Sequence, residues 1–208
     1  MVQLLKIKTY QNIVNKKIAN PNNKNIYNIG FFGIGKYESS KFPKIYAIWH
    51  SILRRCYSEE QQIKQPTYIG CYVCDKWHNF QNFAEWYELN YIDTFEIDKD
   101  ILFKGNKIYS PETCSFVPQE INALFTKTNK LRGNYPIGVT PQNSKYRASL
   151  SIDKKQYHLG VRDTIEEAFI LYKTEKKKNM KNMANRWKHI LPEKTYMAIY
   201  NYNVEITD

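Results

Sequence analysis

The strongest constraint on the fold is an alternation of apolar and polar residues near the end of the chain. It runs through residues 145–152 and again through 156–162, and a shorter run covers 137–142. A two-residue period is typical of a half-buried strand, and polar turns separate the three runs. The residues predicted to face inward are Tyr146, Ala148, Leu150, Ile152, Tyr157, Leu159 and Val161.

A helix is predicted directly after the third run. Thr164 and, three residues later, Glu167 have the form of a capping box, and apolar residues then recur at helical spacing from Ile165 to Tyr172. This order predicts three antiparallel strands with one helix packed on their apolar face.

The opposite face of the predicted sheet is polar and basic. Lys154 and Lys155 flank it in the second turn, and the face itself carries Arg147, Ser149, Ser151, Gln156, His158 and Arg162. Such a face on a small sheet fits the major groove of DNA, which a β-ribbon can enter. The alternative is a surface sheet with ordinary solvated polar residues.

This segment resembles the apetala/ethylene-response-factor (ERF-like) DNA-binding domain. The matching pieces are Gly138-Val139, Tyr146-x-Ala148-x-Leu150, Leu159-Gly160 and Thr164-x-Glu166-Glu167-Ala168. In that family the outward residues of the three strands contact bases and phosphates, although the family carries more arginine and tryptophan there. The resemblance implies double-stranded DNA as the partner and this role for Thr140, Gln142, Arg147, Ser149, Ser151, Gln156 and His158.

The charge of the chain agrees with a nucleic-acid partner. Its 208 residues include 31 Lys and Arg against 20 Asp and Glu, which gives a formal net charge of +11. Such a charge attracts phosphate backbones in a salt-dependent way. Because neither a run of about 18 apolar residues nor a signal peptide is apparent, we expect no membrane span and a cytoplasmic protein with reduced cysteines.

The middle of the chain predicts a second module. Amphipathic helices are expected over 43–57 and over about 79–90. Residues 96–103 alternate as a strand, and 103–109 have the composition of a hairpin turn with a return strand. Ser110-Pro111 predicts the start of a further helix. Strand, hairpin and helix together have the outline of a ββα metal site.

In this region the chain resembles the HNH (His-Me finger) endonuclease-like proteins that are common in bacteriophages. The resemblance covers residues 45–125. Its pieces are the 49–56 helix ending in Arg55-Cys56-Tyr57, then Val73-Cys74-x-x-Trp77-x-x-Phe80-x-x-Phe83, Ile97-Asp98-Lys99-Asp100-Ile101 and Gly105-Asn106-x-x-Tyr109-Ser110-Pro111-Glu112-Thr113-Cys114. Phage homing endonucleases often join such a nuclease to a separate DNA-reading module, which the C-terminal segment would supply.

Catalysis in that family needs a divalent metal ion, Mg²⁺ or Mn²⁺, and a histidine base that activates water. The chain departs from both requirements, because Asp98-Lys99-Asp100 replaces the histidines and Thr113 replaces the helix asparagine. The remaining candidates for catalysis and metal binding are Asp98, Asp100 and Asn106. The alternative is that the two acids pair with Lys99 or Lys107. We expect nicking to be weak or absent, which leaves open whether the chain is an enzyme.

The four cysteines form a second candidate metal site. Cys71-x-x-Cys74 has the spacing of zinc ligands, and Cys56 and Cys114 fall at predicted helix ends that could converge on it. Two interpretations stay open: one structural zinc ion bound by all four thiolates, or a set of buried thiols.

Together these patterns predict an α+β chain, with a degenerate ββα-metal (HNH-like) module and a three-stranded antiparallel sheet packed on one helix. The expected parts are an N-terminal β-rich extension (1–42), the HNH-like module (43–126), a linker (127–136), the ERF-like domain (137–190) and a tail (191–208). The predicted function is that of a phage-type, double-stranded DNA-binding protein in the cytoplasm of a bacterial host. Two alternatives are a non-catalytic DNA-binding regulator and a phage anti-defence (anti-CRISPR-like) protein that binds and inhibits a host nuclease.

Overall fold

A computed structural model describes residues 22–125, 134–153 and 155–206. Six α-helices and seven β-strands occur within these ranges. The helices are α1 (Pro43–Tyr57), α2 (Glu59–Lys64), α3 (Phe80–Asn90), α4 (Gln119–Phe125), α5 (Ile165–Trp187) and α6 (Glu193–Tyr200). The strands are β1 (Tyr72–Val73), β2 (Glu96–Asp98), β3 (Ile108–Tyr109), β4 (Ser115–Val117), β5 (Val139–Gln142), β6 (Lys145–Ile152) and β7 (Lys155–Arg162).

The described chain divides into two compact units. The first unit runs to Tyr91 and includes Lys107–Glu112, whereas the second holds Ile92–Asn106 and the chain from Thr113 onward. The predicted boundaries of an HNH-like module and an ERF-like domain differ from this division, and those domains stay a prediction.

The first unit is built on α1 and α3, and the sequence predicts both helices. Pro43 occupies the first turn of α1, where its missing N–H costs nothing, and Asn79 caps α3 by accepting the N–H of Gln81. The Trp49 indole of α1 is fully buried and donates to the carbonyl of Trp77 at 2.7 Å. The apolar residues that α1 and α3 bury are Ile45, Trp49, Ile52, Leu53, Cys56, Phe80, Phe83, Ala84 and Tyr87.

The predicted hairpin over 103–109 is wrong. In the first unit β3 pairs with β1 in parallel, so that Ile108 lies opposite Tyr72. In the second unit β2 pairs instead with β4, antiparallel, so that Asp98 lies opposite Ser115. Strands of two or three residues carry too little pattern to select a partner, and the pairing is decided by contacts distant in sequence.

The helix predicted to start at Ser110-Pro111 is also wrong. The Ser110 hydroxyl does accept the N–H of Glu112 at 3.3 Å, as a capping residue would, but a turn follows instead of a helix. The chain then enters β4, whose three residues are all buried. A β-branched and aromatic run that becomes buried on both faces favours a strand over a helix. After β4 the chain forms the short helix α4, which buries Ile121.

The second unit contains the three-stranded antiparallel sheet in the order β5-β6-β7, with α5 on its apolar face. Thr164 and Glu167 form the predicted capping box, with Glu167 N–H to Thr164 Oγ1 at 3.2 Å and Thr164 N–H to Glu167 Oε2 at 3.3 Å. The core between sheet and helix is made of Val139, Ala148, Leu150, Ala168, Phe169, Tyr172, Met180 and Val204.

The α+β class is confirmed, as is the three-stranded sheet packed on a helix. The predicted tail holds a further helix, α6. The first 21 residues of the predicted extension, residue 126, most of the predicted linker (127–133), Lys154 and residues 207–208 lie outside the described residues. Among the helices in the described ranges, none has both the length and the apolar composition needed to cross a membrane.

Candidate nucleic-acid interface

The polar side of the three-stranded sheet is defined by cross-strand partners, which project to the same side of an antiparallel sheet. Thr140 pairs with Arg147, Arg147 with Val161, and Ser149 with His158. Alternation along each strand places the other members. We name this side the outer sheet face; it consists of Thr140, Gln142, Lys145, Arg147, Ser149, Ser151, Gln156, His158 and Val161.

Two side-chain hydrogen bonds join neighbouring strands across the outer sheet face. Arg147 Nε donates to Thr140 Oγ1 at 3.3 Å, and Gln156 Nε2 donates to Ser149 Oγ at 3.2 Å. Each bond uses one of several donor groups, so both side chains are positioned while keeping capacity for a further partner. Gln156 and His158 are exposed, whereas Arg147 is half-buried and Ser149 is buried.

The size of the outer sheet face matches a DNA groove. Three strands about 4.8 Å apart span about 10 Å, and the eight residues of β6 extend for about 26 Å. The major groove of B-DNA is about 12 Å wide. Because α5 packs on the other side of the sheet, the outer sheet face can approach a duplex without the helix in between.

A β-bulge interrupts the pairing of β6 with β7. Ala148 lies opposite Gly160, but the next residue, Ser149, lies opposite His158, so Leu159 is the extra residue. Gly160 has a φ of +142°, a conformation that glycine adopts readily and other residues avoid. The alternation of sides along β7 is therefore reversed after the bulge.

This reversal corrects two predicted positions. Arg162 pairs with Tyr146 and lies on the helix side of the sheet, where it lines a shallow hollow with Leu171 of α5. Val161 pairs with Arg147 and belongs to the outer sheet face. The predicted outward position of Arg162 and the predicted inward position of Val161 are both wrong. The extra residue of the bulge shifts the two-residue alternation of β7 by one position.

The positions predicted for Lys154, Lys155 and Tyr157, around the turn between β6 and β7, can each be compared with the structure. Lys155 pairs with Ile152 at the start of β7 and is exposed. Tyr157, predicted to be inward, is 48% exposed because it lies on the edge strand of the sheet. Lys154 is outside the described residues. Asp153 begins this turn with a φ of +50°, which places a short polar residue where the chain reverses.

An acidic group, Asp163, lies beside the outer sheet face. Lys145 forms an ion pair with Asp163 at 2.8 Å, and both side chains are largely exposed. Hydrogen bonding to Lys145 lowers the pKa of Asp163, so the carboxylate is charged at neutral pH and offsets the charge of Lys145. Among the described residues of the outer sheet face, Arg147 carries a positive charge without an ion pair to a carboxylate.

The predicted catalytic residues lie together in loop 98–106 of the second unit, but they bond to one another and to the backbone. The buried Lys99 ammonium donates to both carboxylate oxygens of Asp100 at 2.7 Å and to the carbonyl of Asn106 at 2.8 Å. Asn106 Nδ2 donates back to the carbonyl of Lys99 at 2.8 Å. The sequence also allowed the alternative that an acid pairs with Lys99, and this alternative is confirmed for Asp100.

Asp98 has a structural role in the same loop. Its Oδ1 accepts the N–H groups of Asp100 and Ile101 at 2.7 and 2.8 Å, which fixes the turn after β2. Burial raises the pKa of the Asp98 carboxyl, while these two N–H groups act in the opposite direction. A raised pKa suits a general base, yet the Oδ1 atom is already occupied by the backbone.

Metal binding stays a prediction for both candidate sites. Among the described residues, no group of three or more His, Cys, Asp or Glu side chains is arranged to hold a metal ion. All four cysteines are thiols; Cys56, Cys71 and Cys114 are buried, and Cys74 is partly buried. Burial raises the pKa of Cys74, which disfavours the thiolate that zinc would need.

Comparison of the chain with protein families, with curated proteins and with solved structures gave no match. The candidate site therefore rests on the geometry of the chain itself. Sequence reasoning missed two members of the outer sheet face, Lys145 and Val161. The available signal for Val161 was Gly160, since glycine inside a strand often marks a bulge.

Proposed function

We propose that this chain is a double-stranded DNA-binding protein whose outer sheet face enters the major groove. The observation that carries the proposal is the placement of Arg147, Gln156 and His158 on one side of a sheet whose other side is covered by α5. Arginine and glutamine are the side chains that recognise guanine and adenine edges by paired hydrogen bonds. The formal net charge of +11 supports attraction to the phosphate backbone.

The proposal includes a phage-type, HNH-like origin with weak or absent nicking. Its support is the resemblance of residues 45–125 to that family, together with loop 98–106, whose polar groups stabilise the loop. A protein of this kind would use the outer sheet face for recognition and would not need rapid cleavage.

The test is binding of the purified chain to a labelled pool of random duplexes, followed by anisotropy at several salt concentrations. We expect the logarithm of the affinity to fall linearly with the logarithm of salt, with a slope of about −0.9 for each phosphate contact. Replacement of both Arg147 and His158 by alanine should weaken binding strongly, at about 1–3 kcal/mol for each lost base contact. Unchanged binding by this double variant would refute the assignment of the outer sheet face.

A further inference from the structure

Arg55 of the first unit is a partly buried guanidinium with an unusual set of neighbours. It forms a hydrogen bond with the phenol of Tyr109, and it lies over the ring of Tyr68 at 5.3 Å from the ring centre. The groups that act on it electrostatically are Tyr109, Tyr68 and Cys56, and no carboxylate is among them. Within the described part of the chain, none of these neighbours carries a carboxylate that would balance the charge of Arg55.

Such an arrangement favours an anionic ligand. Buried charges in proteins are usually paired, because leaving the charge without a partner of opposite sign is costly. Burial raises the pKa of Tyr109 far above its usual range, so this phenol is neutral and supplies no negative charge. A guanidinium has five N–H donors in a rigid fork, and a phosphate group accepts two of them in parallel. The stacked ring and the phenol hold the fork in place before a ligand arrives.

A second cation lies at the same turn. The exposed Lys107 donates to the carbonyls of Thr67 and Ile69 at 3.0 and 3.2 Å, and these two residues flank Tyr68. Both acceptors are neutral, so the charge of Lys107 adds to the positive potential around Tyr68. The carbonyls fix this ammonium beside the turn that also supports the Arg55 side chain.

We propose that Arg55, with Lys107 at the adjoining turn, forms a binding site for a phosphate group of a nucleic-acid backbone. The site lies in the first unit and is separate from the outer sheet face, although its assignment to nucleic acid rests on the proposed function. Its contribution would be affinity and positioning without sequence preference, because a phosphate contact reads no base.

The first arm of the test uses inorganic phosphate on the full chain. The side-chain Nε–H resonance of Arg55 is followed by NMR while phosphate replaces chloride at constant ionic strength and pH. We expect a saturable shift in wild type that is kept in R54Q; R55Q lacks this resonance and serves to assign it. Arg54 is the matched control, since it is exposed, adjacent on α1 and carries the same charge. A shift that does not saturate, or that chloride reproduces, overturns the site.

The second arm measures affinity for duplex DNA with R55Q, R55K and R54Q, each first shown by thermal melting to be folded. We expect R55Q to bind about tenfold more weakly and to lower the salt slope by about 1, with a smaller change for R54Q. R55K should lie between R55Q and wild type, because it keeps the charge and loses the fork. Equal DNA affinity of R55Q and wild type, while phosphate still shifts the Arg55 resonance of wild type, overturns the nucleic-acid assignment and leaves a site for small anions.

Failure of the proposed function gives a different pattern. If wild type binds no duplex while phosphate still shifts Arg55, the DNA-binding proposal fails and the nucleic-acid assignment of Arg55 fails with it. If Arg147→Ala plus His158→Ala abolishes DNA binding and R55Q does not alter it, the outer sheet face stands and the Arg55 proposal is overturned.

Discussion

The outer sheet face and loop 98–106 belong to the same unit and are both rich in polar side chains, but they use them differently. In loop 98–106 the Lys99 ammonium, both Asp100 oxygens and Asp98 Oδ1 are engaged within the loop itself. Among the described residues of the outer sheet face, two side-chain hydrogen bonds join neighbouring strands, and Gln156 is exposed beside them.

The polar side chains of loop 98–106 stabilise the fold, whereas those of the outer sheet face are available to a binding partner. A polar group that is already bonded inside the protein must break that bond before it can bind a ligand, which costs about 1–3 kcal/mol when the group is buried. The outer sheet face incurs little of this cost. A cluster of acids in a sequence is therefore weak evidence for catalysis until its internal bonds are known.

The largest expected effect concerns nicking of supercoiled plasmid with Mg²⁺ or Mn²⁺. We expect slow nicking at best, since the loss of a positioned base typically costs about 10²–10⁴-fold in rate. Any activity should depend on Asp98 or Asp100. Rapid cleavage by wild type that is abolished by Asp98→Ala plus Asp100→Ala, in a variant shown to be folded, would mean that loop 98–106 is an active site. That result would contradict the purely structural role of its polar groups.

Lys99→Ala and Lys145→Ala compare the two regions by the same substitution. Lys99 is 6% exposed, and its loss removes the ion pair with Asp100 and the hydrogen bond to the Asn106 carbonyl, so we expect the unfolding free energy to fall by about 2–3 kcal/mol. Lys145 pairs with Asp163 in solvent, where ion pairs contribute little, so its loss should lower the unfolding free energy much less than the loss of Lys99. Urea denaturation measures both; equal losses would contradict the distinction.

Lys176 of α5 is another polar group that is bonded inside the protein, and its effect on stability can be measured as a function of pH. It is buried, its ammonium donates to the carbonyl of Leu124 at 2.8 Å, and burial lowers its pKa to about 8. Between this value and the unfolded pKa near 10.5, the unfolded chain binds more protons than the folded one, so stability from this group rises with pH. Its charged form destabilises the folded state below about pH 8.

The measurement is urea denaturation of wild type and Lys176→Met at pH 7.5 and 9.5. Wild type should gain about 2 kcal/mol relative to the variant across this interval. The difference between the two proteins removes the contribution of tyrosines and other groups that titrate in the same range. A constant difference at both pH values would show that Lys176 titrates normally.

The C-terminal elements could be predicted because their signals are local. The alternation predicted β6 as Lys145–Ile152, and the capping box placed the start of α5 after Thr164, as the structure has them. The bulge at Leu159 and Gly160 could not be placed in the same way, because a bulge is a property of the pairing between two strands. The bulge moves Arg162 to the helix side of the sheet, and this is the position at which the predicted site is corrected.

The region around loop 98–106 was beyond prediction for a different reason. β3 contributes two residues to a parallel pair with β1, and β2 pairs with β4 on the far side of β3 in sequence. Strand pairs of two or three residues are determined by packing in the surrounding core. The internal bonds of Lys99 depend on that choice, and therefore the structural role of Asp100 could be offered from sequence only as an alternative.

The central claim is that the outer sheet face binds DNA, and two arginines of one hairpin test it most directly. Arg147 lies on the outer sheet face and Arg162 on the helix side, although a strict two-residue period would place both outward. Affinity for a labelled duplex pool is measured by anisotropy at fixed salt for Arg147→Ala and Arg162→Ala. We expect Arg147→Ala to weaken binding by about 1–3 kcal/mol and Arg162→Ala by less than about 0.5 kcal/mol. Equal weakening by the two variants, or a larger loss with Arg162→Ala, would contradict the account.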